Sequence, residues 1–314
     1  MTTWGLLGVP SSAAAHWPGQ EKAPRALRAA GLLASLRSVA AVEDHGDLPL
    51  VPWRRHPTER SPHNVTAVAE VLQDARREIG AIFAAGRRPL VVGGECTLAI
   101  ALVAAAVDAG HDVGLMYVDG GQDLMIPADH AREPILDGTG VAHMLDLPGT
   151  VEAIAALGPR RPLLHPGQVC FFGFADEEED VHGLVPSPRH PSRAVAADPG
   201  REAELAVEQL TRVTEEFVVH FDVDVLDFFA LPAADVPLYG RGLRLESAVA
   251  ALQVLVRHPG FRGLTFCEFN PDHAEPDTAG RLVGALVSAL PDRAAARTTS
   301  ARAGPARLPA RRGN

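Results

Sequence analysis

Four short segments of this 314-residue chain carry side chains able to bind a cation or attack an electrophile. Cys96 follows the run Pro-Leu-Val-Val-Gly-Gly-Glu, Asp119 and Asp123 follow Val-Gly-Leu-Met-Tyr-Val, Asp222, Asp224 and Asp227 follow Phe-Val-Val-His-Phe, and Glu268 follows Gly-Leu-Thr-Phe-Cys. A single Asp after a strand is ordinarily a turn or cap residue. Asp222-Val-Asp224 is different, because residues i and i+2 at a strand end project to one side. Two carboxylates side by side repel unless a cation or a proton lies between them. With Asp119 and Asp123 as a second close pair, the hard oxygen ligands suit Mn²⁺ or Mg²⁺ over Zn²⁺. Cys96 offers a second chemistry. It lies after a Gly-Gly turn and ahead of an expected helix, where the helix dipole lowers a thiol pKa and a covalent thioester can form. Four nearby Asp act in the opposite sense. An inert buried cysteine is the third option for that position, and Cys170 and Cys267 read as core residues of strands.

These residues need strands to carry them. Apolar runs at Trp4–Val9, Pro89–Val92, Val113–Val118, Gln168–Phe172, Phe217–Phe221 and Gly263–Phe266 have strand character. Helical periodicity covers Lys22–Ser35, Asn64–Ala85, Thr97–Asp108, Glu202–Glu215, Glu246–Arg257 and Pro276–Leu290, with Asn64 as the expected N-cap of the second and Gly86 as its stop. Strands alternating with helices imply a parallel sheet covered on both faces, and in such sheets ligands bind at the carboxyl ends of the strands. The expected architecture is one α/β domain over residues 1–290. The Pro- and Ser-rich stretch Val185–Arg201 reads as a long surface loop, and residues 291–314, rich in Arg, Ala and Pro, read as a disordered tail.

Composition narrows the function classes. Asp+Glu is 39 against Lys+Arg 29, a formal charge of −10, which argues against a nucleic-acid partner. No apolar run approaches the length of a membrane span, the N-terminus lacks the pattern of a secretory signal, and three widely spaced cysteines form neither a disulfide framework nor a zinc ribbon. A cytoplasmic protein is expected.

The same segments, in order, resemble the ureohydrolases, the family of arginase, agmatinase and formiminoglutamase. Gly8-Val9-Pro10 with the following Pro24-x-x-Leu27-Arg28 resembles the family's N-terminal segment, and Val-Val-Gly-Gly-Glu-Cys resembles its Gly-Gly-Asp-His. Val-Asp-Gly-Gly-Gln-Asp resembles Asp-Ala-His-x-Asp, Phe-Asp-Val-Asp-Val-Leu-Asp resembles Ser-x-Asp-x-Asp-x-x-Asp-Pro, and Glu268-Phe-Asn-Pro resembles Glu-x-Asn-Pro. The resemblance implies a three-layer α/β/α fold with a parallel sheet of about eight strands, assembly into trimers or hexamers, and a pair of Mn²⁺ ions whose bound water attacks a guanidinium carbon. It implies that Asp119, Asp123, Asp222 and Asp224 are metal ligands and that Glu268 contacts the substrate. His143 stands near the family's proton-shuttling histidine, with His130 a weaker candidate.

The departures are equally specific. Cys96 and Gly121 stand where the resemblance implies histidine ligands, Glu95 replaces an Asp, Gly120 an Ala and Phe228 a Pro. A thiolate at Cys96 can still bind one ion, while the second position has no nitrogen donor, so one ion, two, or none are all open. The expected activity is an atypical, metal-assisted C–N hydrolysis of a guanidino or amide-like small molecule other than arginine, in specialised metabolism. The alternatives are a metal-free acyl hydrolase, transferase or cyclase with Cys96 as nucleophile, and a non-catalytic ligand-binding homologue.

Overall fold

A computed structural model describes residues 3–54, 62–126, 128, 135–175, 179–180 and 183–290. The expected tail 291–314 and His130 lie outside the described residues. Eight parallel strands form one sheet: β1 (Thr3–Gly8), β2 (Ala41–Asp47), β3 (Arg88–Val92), β4 (Val113–Val118), β5 (Val169–Phe172), β6 (Arg189–His190), β7 (Glu216–Asp222) and β8 (Phe261–Cys267), in the order β2-β1-β3-β8-β7-β4-β5-β6. The helices are α1 (Ala23–Ala29), α2 (Leu32–Val39), α3 (Val65–Ala84), α4 (Leu98–Asp108), α5 (Gly140–Met144), α6 (Glu152–Ala155), α7 (Ser192–Ala197), α8 (Pro199–Thr211), α9 (Leu245–Arg257) and α10 (Thr278–Ala289). No helix among the described residues is long and apolar enough to cross a membrane.

The sheet divides the core in two. Along β4, Met116 and Val118 face a cluster that takes in α1, α2, α8, α9 and α10, while Leu115 and Tyr117 face a second cluster built on α3 and α4. Strands buried on both faces are apolar at every position, which is why β4 reads as a continuous run. Helix α4 is buried all round at its start, and α3 shows its apolar stripe Val68, Val71, Leu72, Ala75, Ile79 and Ile82 to the sheet side.

Several sequence expectations need correction. The single helix over Lys22–Ser35 is two, because Gly31 takes a left-handed φ of 90° between α1 and α2. Val185–Arg201 is not a loop throughout: it supplies the two-residue edge strand β6, the helix α7 and the start of α8, which begins at Pro199 and not Glu202, with Asp198 accepting from the Arg201 amide as cap. Asn64 precedes α3 but makes no side-chain cap; its Nδ2 donates instead to the carbonyls of Ala13 and Arg54. Strand β2 was absent from the sequence reading. It lies at the sheet edge, is mostly half-buried and contains Glu43, Asp44, His45 and Asp47, so it lacks an apolar run; Arg28 holds it to α1 through Asp44 and Asp47.

Candidate metal centre

Strands β3, β8, β7 and β4 are neighbours in the middle of the sheet, and each ends on one of the four segments singled out above. The chain runs from β3 through α4 to β4, leaving room for β8 and β7 between them, and this crossing point places a crevice at the carboxyl ends of the strands. A cavity of about 170 Å³ opens there, lined by Cys96, Asp119, Asp123, Asp222, Asp224 and Glu268, and also by Asp137, Glu179 and His16. Seven carboxyl groups and no lysine or arginine line it among the described residues.

Tight turns bring these groups together. After β3, Gly93 and Gly94 adopt φ of +94° and +73°, and a Cβ on Gly93 would fall 2.3 Å from Pro24 Cγ, so the turn admits only glycine. Cys96 then lies two residues before α4, its amide donating to Glu268 Oε1 at 3.1 Å. Its Sγ lies 2.7 Å from Asp222 Oδ2 and 3.6 Å from Asp119 Oδ2. Asp222 Oδ1 accepts from the Asp224 amide at 2.6 Å, and Asp224 Oδ1 accepts from the Gly120 amide at 2.8 Å, which ties the ends of β7 and β4 together. Tyr117 donates its hydroxyl to Asp123, and Gln20 donates to Glu268. Asp123 and Glu268 hold left-handed φ of 51° and 66°, a strained backbone for residues with a Cβ. Glu95 points elsewhere, accepting from Ser11, Thr97 and the Ala14 amide.

The electrostatics call for a cation. Burial pushes Asp222 and Asp119 well above the usual carboxylate range, and Asp224 adds to both by like-charge repulsion. Burial, followed by Asp119 and Glu179, does the same to Asp123; burial and then Asp137 do so to Glu268. Burial lifts Asp224 to about 6, and burial with a smaller push from Asp224 lifts Glu179 to about 6. The Cys96 thiol is raised strongly by burial and by Asp222, so the dipole of α4 does not make it a thiolate on its own. These residues fit a divalent ion: hard carboxylate oxygens and one thiol converge, and a cation offsets the repulsion that otherwise keeps them protonated.

His143 has a different place from the one expected. It lies on α5, fully buried, with Nδ1 2.8 Å from the Thr139 carbonyl and Nε2 accepting from the Val151 amide at 3.0 Å, and it does not line the cavity. Burial lowers it to about 4. Both ring nitrogens serve the main chain, so the proton-shuttle expectation for His143 has no free nitrogen behind it. At Gly121, where the resemblance implies a histidine, a Cβ would fall 2.7 Å from Glu179 Oε1; a carboxylate fills the space of the missing ring.

Four titratable residues at the site escaped the sequence reading. Asp137, Glu179 and His16 come from irregular segments with no periodic signal. His220 had one: it lies two residues before Asp222 on β7, hence on the same face of the strand. Its Nε2 lies 4.0 Å from Asp119 Oδ2, and the donor atoms of Cys96, Asp119, His220 and Asp222 all fall within 4.8 Å of one another. The imidazole of His220 is thus a nitrogen atom beside the carboxylates that the sequence expectation did not include.

Comparison with known proteins agrees with this fold. A family model described as the arginase family matches residues 2–290. The chain is 25% identical to human Arginase-1 over 294 residues, covering 91% of each chain, and 24% identical to the arginase of Brevibacillus brevis over 303 residues, covering 91% of this chain and 96% of that one. Among solved structures, the arginase from Bacillus caldovelox superposes with a TM-score of 0.84 at 24% identity over 93% of this chain and 99% of the other. The formimidoylglutamase of Bacillus subtilis does so with a TM-score of 0.70 at 17% identity, over 92% and 86%.

Proposed function

Since the chain belongs to the arginase family, whose members are hydrolases of C–N bonds, we propose that it is a metal-assisted hydrolase acting on a guanidino or amide-like small molecule. One observation carries this reading: seven carboxyl groups and no lysine or arginine line a single cavity at the ends of the four central strands, among the described residues. Such a cavity repels anions and takes up a metal ion together with a cationic, planar group such as a guanidinium.

Asp119, Asp123, Asp222 and Asp224 would hold the ion or ions, with Cys96 in addition as a thiolate; Mn²⁺ is the metal that the carboxylate set suits. When bound, the metal supplies Lewis-acid activation of water at neutral pH. The protein's own part is positioning. Glu268, fixed through Oε1 by the Cys96 amide and through Oε2 by Gln20, presents a carboxylate to a guanidinium N–H in the cavity wall. Glu179, raised to about 6 like Asp224 but not among the residues assigned to the ions, is the wall group left to accept a proton near neutrality and return it to a departing nitrogen. Leu238 and Val236 give one side of the cavity an apolar lining. A trimeric or hexameric assembly and a cytoplasmic location belong to the same reading.

The Cys96-nucleophile alternative is the weaker one, because burial and Asp222 hold the thiol protonated and His143 is too committed to the main chain to act as its base. The two readings separate in one assay. Release of urea or ammonia from guanidino, formimino and amide compounds is followed with chelated and with metal-restored protein. Activity that returns only with metal and vanishes in Asp222→Asn supports the proposal. Activity that survives chelation but is lost in Cys96→Ser refutes it in favour of the thiol. A cavity that binds such compounds without turning them over under any metal marks a ligand-binding homologue.

A further inference from the structure

The imidazole on β7 is the feature that the reading above leaves unused. His220 is fully buried, and its Nε2 has no hydrogen-bond partner, an unusual and costly condition for a ring nitrogen in a closed interior. Its ring is fixed on two sides. Nδ1 lies 2.8 Å from Thr265 Oγ1 on the adjacent strand β8, and the ring stacks on Tyr117 of β4 at 4.7 Å with 18° between the planes. Cross-strand register puts all three side by side, with His220 opposite Tyr117 on one flank and Thr265 on the other. If Nδ1–H donates to the threonine oxygen, the lone pair on Nε2 points at the acidic cluster, which is the tautomer and the outer support usual for a metal-bound histidine.

Resting on the reading that this cavity houses a divalent ion, we propose that the chain holds one zinc-type ion on Cys96 Sγ, His220 Nε2 and the carboxylates of Asp119 and Asp222, in place of a pair of manganese ions. The two histidine positions implied by the family resemblance are lost at Cys96 and Gly121, and a different histidine, supplied from the floor of the site, restores a nitrogen donor. The separations of 2.7 and 3.6 Å from Sγ to the two carboxylates and 4.0 Å from Nε2 to Asp119 bracket the roughly 3.3–3.7 Å edges of a tetrahedral zinc site. The remaining donor pairs all fall within 4.8 Å of one another. A thiolate and an imidazole are donors that zinc takes readily and manganese does not favour. On binding, the Cys96 S–H bond breaks, its proton leaves to solvent, and the sulfur electron pair goes to the ion. Glu179, filling the space beside Gly121, leaves a second position with oxygen donors only. Zinc accepts five ligands, so water can still reach the ion beside four protein donors.

Zinc outbids manganese at almost any site, so preference alone decides nothing; ion count and donor identity do. Full-length protein is stripped with chelator, loaded with zinc, and measured by elemental analysis and X-ray absorption. The expected result is one zinc per chain, with one sulfur scatterer at about 2.3 Å, nitrogen and oxygen at about 2.0 Å, and outer-shell imidazole scattering. Cobalt loading should give a thiolate-to-cobalt charge-transfer band that Cys96→Ser abolishes. In chelator competition, His220→Gln should weaken zinc binding by about 10²-fold or more, and Thr265→Val, which removes only the oxygen supporting Nδ1, by about 10–100-fold. Circular dichroism checks the fold of both, and the wild-type absorption spectrum decides even if a variant fails to fold. Two ions per chain, a spectrum without sulfur or without imidazole, no zinc binding, or unchanged affinity in a folded His220→Gln would overturn the proposal. Guanidino hydrolysis with two manganese ions and no sulfur ligand sinks this inference and sustains the functional reading; the zinc site without any hydrolysis does the reverse.

Discussion

Replacing His143 by leucine distinguishes a structural pin from a proton shuttle. The wild-type ring donates from Nδ1 to the Thr139 carbonyl and accepts at Nε2 from the Val151 amide, a neutral arrangement that protonation breaks. The Thr139 carbonyl keeps a second bond, from the His143 amide, so the substitution orphans chiefly the Val151 donor. One unsatisfied buried donor costs about 1–3 kcal/mol, and that is the expected loss at pH 7.5. The pH dependence follows from the depressed pKa. The folded ring titrates at about 4 and the unfolded one near 6.5, so the unfolded chain binds the proton first as pH falls. The stabilisation is complete above about pH 6.5, shrinks as pH drops, and is fully lost below about pH 4. Between pH 7.5 and 5 this linkage removes about 2 kcal/mol from the wild type and nothing from the leucine variant. Urea denaturation of both proteins at the two pH values is the assay, and the stability gap should narrow by that amount. A gap that stays constant with pH would refute the structural role. So would a folded, equally stable variant whose kcat falls by about 10²-fold or more with KM unchanged, the signature of a lost general acid or base.

Three further outcomes are expected. Asp222→Asn should remove the metal-dependent rise in melting temperature seen on reloading chelated protein, while melting no lower than the wild type when both are stripped, because it relieves like-charge repulsion; a large metal-dependent shift persisting in the variant would contradict the assigned ligand. Gly121→His should fail to restore a second nitrogen ligand and should cost about 1–3 kcal/mol, since its Cβ meets Glu179 Oε1 at 2.7 Å, and pairing it with Glu179→Ala should recover most of the loss in a thermal melt. Gly93→Ala, forced to φ +94° against Pro24, should destabilise by at least about 1–3 kcal/mol and disorder the turn that sets Cys96; an unchanged denaturant midpoint would show that the turn relaxes freely.

The sequence alone determined the architecture and the acidic half of the centre. Strands buried on both faces must be apolar throughout, so β3, β4, β5, β7 and β8 announce themselves as runs, and a carboxylate pair at a strand end is visible through the two-residue period. The edge elements were not legible: β2 is acidic and half-buried, and β6 is two residues in a Pro- and Ser-rich stretch. Only the tertiary structure decided which of His143 and His220 stands beside the carboxylates. His143 and His220 look alike in sequence, each a single ring among apolar neighbours. Helix α5 turns the first into the main chain of its own loop, while strand pairing sets the second between Tyr117 and Thr265 with one nitrogen left toward the carboxylates. Ligand geometry is a relation between residues far apart in the chain, and periodicity reports only which face a residue shares with its near neighbours.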